Sequence, residues 1–228
     1  MAFDPYRHID DYCERVDAAF WGEPLNALTN AAFLIAAWVC WRAARRAGGP
    51  DWASGLLIGL MATIGVGSFL FHTLANGWSL WADVIPIQLA IVSYFYIIGV
   101  RFYGLPRWGA GALTAGALAA IFALGTALTA ALGPMNGSSG YLAVALVILA
   151  LAAGLALRGH PAGGAIAAGM GIFAVSLTLR TMDMAWCEAL PIGTHFMWHV
   201  LNGVTLGWLT LAVIRHGGGA RRAAEAGR

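Results

Sequence analysis

The chain has 228 residues, 60% hydrophobic and 11% charged, with a formal net charge of +2. A soluble domain ordinarily carries about 25% charged residues, so the deficit argues against a water-soluble bundle, whose helices each need a polar face. No basic run suits nucleic acid, and so small a net charge does not steer a polyanion.

In chain order, residues 1–24 form a polar opening segment. Asp4, Asp10, Asp11, Glu14 and Asp17 leave no apolar core for a cleavable signal peptide there. A membrane span needs about 20 apolar residues. Seven stretches qualify: 25–44, 54–75, 80–100, 108–132, 140–157, 163–182 and 194–214. Many are rich in Gly and Ala, which membrane helices tolerate and which let helices approach closely. The connections are short and no internal repeat is evident. The expected fold is an all-α membrane protein, a seven-span bundle over 25–215, followed by a solvated tail at 216–228, "RHGGGARRAAEAGR" from Arg215 onward.

Short cytoplasmic loops carry an excess of Lys and Arg. Here Arg42, Arg45 and Arg46 follow the first span, Arg101 and Arg107 the third, Arg158 the fifth, and Arg215, Arg221 and Arg222 the seventh. With seven spans all of these fall on one side. The opposite turns, "ANGWS", "GPMNGSSG" and "DMAWCEALPIG", carry acid or no charge. The N-terminus is therefore expected outside and the C-terminus in the cytoplasm. Cys13 and Cys187 then share the outer side and Cys40 lies within a span. If that side is oxidising, a disulfide is open to the outer pair, as is the alternative of two free thiols.

Polar residues inside the spans gather near the outer side. Ser68 and His72 lie four apart at the end of the second span, and His195 and His199 four apart at the start of the seventh. Residues four apart share a helix face. Asp83, in "WADVIPI", is expected to open the third helix. Singly, each has an ordinary reading: a serine bonding back to its own helix, an aspartate cap, an interfacial histidine. Together they place three imidazoles at one depth, which suits zinc with three protein ligands and one open position. A buried ionisable group in a membrane is costly and functional by default. Asn26 and Asn30 read as ligands, caps or interhelical glue. Arg180 and Asp183, three apart, read as an intrahelical ion pair. The ten tryptophans lie mostly near predicted interfaces.

"GVGSFLFHTL" with "WADVIPI", "HFMWH", and "DYCE" followed by "EPLNALTN" together resemble the alkaline ceramidase family, in the wider group of seven-span hydrolases that includes the adiponectin receptors. The resemblance covers nearly the whole chain. It implies zinc on His72, His195 and His199, with Ser68 and Asp83 as catalytic partners, and it pairs Cys13 with Cys187. It also implies calcium held by the Asp11, Glu14 and Glu23 side chains with carbonyls near Tyr12 and Val16; carboxylates suit such a hard cation. Against this, the segment also reads as a solvated acidic stretch, its spacing is slightly short, and Arg15 puts a positive charge beside the site.

The implied activity is hydrolysis of the N-acyl bond of a ceramide-like membrane lipid, with Asp83 as general base and Ser68 as an oxyanion donor. Alternatives are a zinc esterase or phospholipase, and a seven-span lipid-sensing receptor with a structural zinc. The expected location is a bacterial inner membrane, with the site facing the periplasmic side.

Overall fold

The computed structural model describes residues 4–217; the expected tail beyond Gly217, with Arg221 and Arg222, lies outside the described residues. Eight α-helices form among the described residues: α1 (Pro24–Thr29), α2 (Ala31–Arg46), α3 (Trp52–Leu74), α4 (Gly77–Ile97), α5 (Arg107–Leu132), α6 (Ser139–Leu157), α7 (Ala162–Met182) and α8 (His195–His216). There is no strand among the described residues. The first span, Pro24–Arg46, is α1 and α2 joined through Asn30, and the third, Gly77–Phe102, is α4 continued by a π-turn over Ile98–Phe102. Seven segments are thus long and apolar enough to cross a membrane, each coinciding with one predicted stretch. This is the architecture of a multi-pass integral membrane protein.

The spans pack as a closed ring. Each touches its neighbour in sequence, and α8 returns to α1, α2 and α3. Large apolar side chains lie on both sides of the wall. Phe95, Ile97, Ile98 and Ile166 are fully buried inside, while Phe122 (78% exposed) and Ile35 (61%) face outward. An outward apolar surface of this kind suits contact with lipid.

Helix starts follow local chemistry. Asp51 accepts from Ser54 N (2.9 Å) and its own N–H donates to Ser54 Oγ (3.0 Å), a reciprocal cap for α3. Asn76 and Ser79 repeat the device on α4. The α4 cap is therefore Asn76 and not Asp83, which lies six residues inside the helix and is buried. Polar residues in the first turn delayed the expected start without preventing helix formation.

Two close approaches set the register around the interior. Pro86 lies within α4 and has no N–H, so the Ala82 carbonyl lacks its ladder partner. Gly67 of α3 rests against that carbonyl, where any Cβ would collide. The next residues along, Ser68 and Asp83, thereby come together. On α8, a Cβ at Gly203 would stand 2.9 Å from the backbone of Ala32 in α2, so the first and last spans close tightly.

The opening segment folds over one end of the ring. Ile9 N donates to Ala75 O (2.8 Å) and Trp78 N to Pro5 O (2.9 Å). Cys13 is disulfide-bonded to Cys187, and Cys40 is buried and free.

Candidate metal centre

His72 sits in the last turn of α3, and His195 and His199 in the first two turns of α8. The helical repeat stacks the α8 pair on one face, and the α3–α8 contact brings in His72. One ligand atom from each lies within 4.8 Å of the others, and all three residues are buried. Ring centroids are 4.6 Å apart for His72–His199, 4.7 Å for His195–His199 and 5.3 Å for His72–His195.

The outward nitrogens define the inward ones. His72 Nδ1 lies 2.6 Å from Glu23 Oε2. The carboxylate only accepts, so Nδ1 carries the proton and the Nε2 lone pair is left inward. Nε2 of His72 and Nδ1 of His195 are buried with no partner among the described residues. His199 Nδ1 is 3.1 Å from Thr29 Oγ1, whose hydroxyl donates to Leu25 O at 2.6 Å. That hydroxyl is left to accept from Nδ1–H, which frees the His199 Nε2 lone pair. Three converging imidazoles, with buried unpartnered nitrogens on His72 and His195 and outer acceptors behind His72 and His199, fit a metal ion.

Other groups brace the trio. Asp183 accepts from Cys13 N (3.0 Å), Thr194 N (2.7 Å) and His195 N (2.9 Å), so it pins the start of α8 to the disulfide-bonded segment. It forms no ion pair with Arg180, which instead donates to Asn136 O and stacks on Tyr141 and Trp198. The expectation from their spacing fails because buried backbone groups need these partners more. The Tyr12 ring stacks on His195 with centroids 3.8 Å apart; burial pushes its hydroxyl pKa up.

A cavity of about 220 Å³ opens beside the trio. Ser68, Asp83, Tyr12, Arg180, His195 and His199 line its polar part, and Ile64, Ile148, Met170, Phe173 and Leu209 line an apolar continuation into the ring. Ser68 stands beside the Asp83 carboxylate. Asp83 Oδ1 is buried with no partner among the described residues. The two residues therefore share the cavity wall with His195 and His199.

Glu14 and Glu23, two of the carboxylates expected to hold calcium, have partners within the chain. Val16 is 84% exposed and Asp11 is exposed. Glu14 accepts from Leu25 N (2.7 Å) and Asn26 N (2.8 Å), capping α1. Burial outweighs these bonds and raises its pKa. Glu23 accepts from His72, from Asn26 Nδ2 (2.9 Å) and from Arg15 Nε. Burial works to raise the Glu23 carboxyl, but its His72, Asn26 and Arg15 partners prevail and hold it low. Both carboxylates are engaged, and the cation paired with Glu23 is Arg15.

Reading the sequence alone missed the partners Thr29 and Asp183, the Tyr12 ring, and the role of Glu23 as acceptor for His72. In comparisons with known proteins, a family model described as Ceramidase matches residues 9–218. No curated protein and no solved structure matches.

Proposed function

The chain belongs to the ceramidase family, and on that premise we propose that it hydrolyses the N-acyl amide bond of a ceramide-like lipid at a zinc centre held by His72, His195 and His199. The observation that carries this reading is a trio of buried imidazoles, two of which, His195 and His199, share with Ser68 and Asp83 the wall of a cavity that continues as an apolar slot. A closed structural metal site needs neither the carboxylate nor the slot.

A zinc ion bound there supplies Lewis-acid chemistry, acidifying water and polarising a carbonyl. The chain's own groups do the rest. Asp83 takes a proton from the attacking water as the water oxygen bonds to the amide carbon. The Ser68 hydroxyl donates to the carbonyl oxygen as negative charge develops on it, which strengthens that bond in the transition state. Asp83 then gives its proton to the departing nitrogen as the carbon–nitrogen bond breaks. The products are a fatty acid and a free sphingoid amine. The apolar slot takes a lipid tail, and Tyr12 and Glu23 hold His195 and His72 in register.

We place residues 1–24 on the outer side, 25–215 as the catalytic bundle and 216–228 in the cytoplasm. The site lies at the ring end opposite Arg46, Arg101, Arg107 and Arg158, so the positive-inside rule turns it toward the periplasmic side of a bacterial inner membrane. A C-terminal reporter active only outside the cytoplasm would overturn this placement.

The function is tested by incubating purified protein with a mixture of amide and ester lipids, with and without a chelator, and identifying products by mass spectrometry. Chelator-sensitive release of sphingoid base supports the reading. Release from ester lipids alone makes the enzyme an esterase, and no release from either removes the hydrolase reading.

A further inference from the structure

Arg15 is unlike the other described arginines. Its side chain is 0% exposed, although it belongs to the polar opening segment. Its Nε is paired with Glu23 Oε1, Nη1 donates to Asp17 O (2.9 Å), and Nη2 donates to His72 O (2.9 Å). The guanidinium cannot deprotonate in a protein, so this is a permanent buried charge. Such a charge is tolerated only where it is paired and its donors are met. The slot is shaped for it: a Cβ at Gly22 would stand 2.7 Å from Nη1.

The partners of Arg15 have a common theme. Glu23 is the acceptor for the His72 ring, and the His72 carbonyl belongs to the same residue's backbone. One planar cation thus grips the acceptor carboxylate of His72 and its main chain at once, and ties both to Asp17. A hard divalent cation draws its affinity from several free oxygens. Here Glu23 is engaged by Arg15, His72 and Asn26, and Glu14 by two backbone amides. A second cation at this carboxylate would also face the guanidinium at short range.

We propose that the Arg15 guanidinium is a built-in cation that makes the opening segment of this chain independent of calcium, and that Arg15 is a positioning residue for His72. The second half rests on His72 being a metal ligand, as proposed above. The cation is covalently part of the chain, so its occupancy cannot vary with the surroundings. Fixing Glu23 in turn fixes the tautomer and tilt of His72, which is the usual task of a carboxylate behind a metal-bound imidazole.

The test has two arms, neither of which reads turnover. In the first, full-length wild-type protein in detergent is dialysed against radioactive calcium up to millimolar concentration, and its unfolding temperature is followed. The expected result is no bound calcium and no shift. Stoichiometric binding, or a calcium-dependent rise, overturns the proposal. In the second, zinc affinity is measured by chelator competition on folded Arg15→Gln and Arg15→Lys. Loss of an outer partner costs on the order of 10–100-fold in metal affinity, so Arg15→Gln is expected to lose that much, and Arg15→Lys less. A fall in unfolding temperature with unchanged zinc affinity would make Arg15 merely structural and overturn the positioning role. If Arg15→Gln does not fold, Arg15→Lys and the calcium arm decide. A chain that binds zinc yet leaves ceramides intact defeats the proposed function and leaves this inference standing.

Discussion

Glu23 Oε2 lies 2.6 Å from His72 Nδ1, although the two residues are 49 positions apart and belong to different spans or their borders. The carboxylate ends the opening segment and the imidazole ends α3, so this one bond couples the cover of the bundle to its centre. Glu23→Gln keeps the volume and removes the charge. It is expected to lower zinc affinity about 10–100-fold. It also leaves the buried Arg15 unpaired, which costs roughly 3–5 kcal/mol. Zinc competition and denaturant unfolding on the same preparation check both effects, and normal values of both would mean that the bond does no positioning.

The Gly67–Ala82 contact supports a prediction about packing. Gly67→Ala forces a Cβ onto the Ala82 carbonyl and pushes α3 from α4 where Ser68 meets Asp83. Overpacking of this kind costs about 1–3 kcal/mol. Gly55 lies in the same helix with nothing within 4 Å of an added Cβ. Gly55→Ala should therefore be neutral, or stabilising by about 0.5–1 kcal/mol through helix propensity. Unfolding curves for the pair test the contact directly; equal effects would dismiss it.

At the opposite end of the ring, Asp51 caps α3 and pairs with Arg101. Burial alone would raise the Asp51 carboxyl, but the Ser54 bonds and the Arg101 guanidinium outweigh it and lower the pKa. A carboxyl depressed on folding contributes stability that is present above its unfolded pKa, about 3.9, and is lost as pH falls through the folded value. Asp51→Asn keeps a capping oxygen and removes the charge. The wild type should be the more stable of the two at pH 7, with the gap closing in acid below about pH 4. A gap that does not change with pH would assign the effect to shape alone.

What was legible in the sequence was what local pattern encodes. Span length and the i,i+4 pairs Ser68/His72 and His195/His199 act within one helix. The start of α4 was misplaced because Asn76 and Ser79 make a cap that looks like more loop. The Arg180–Asp183 pair failed for a different reason. Asp183 serves amides at Cys13, Thr194 and His195, and a contact across 170 positions leaves no periodic trace. Thr29 meets His199 over the same separation. Ring closure decides such partners, and only the assembled helices display it.

The central claim is that a metal-held site uses Asp83 as its proton carrier on an amide lipid. The most direct test measures zinc content and sphingoid base released from ceramide on one preparation each of wild type and Asp83→Asn. The account predicts equal zinc in both, since the three histidines remain, and a fall in hydrolysis of ~10²–10⁴ in the variant, the usual contribution of a general acid–base group. Full zinc with near-normal turnover in Asp83→Asn, or loss of the metal along with the activity, would contradict it.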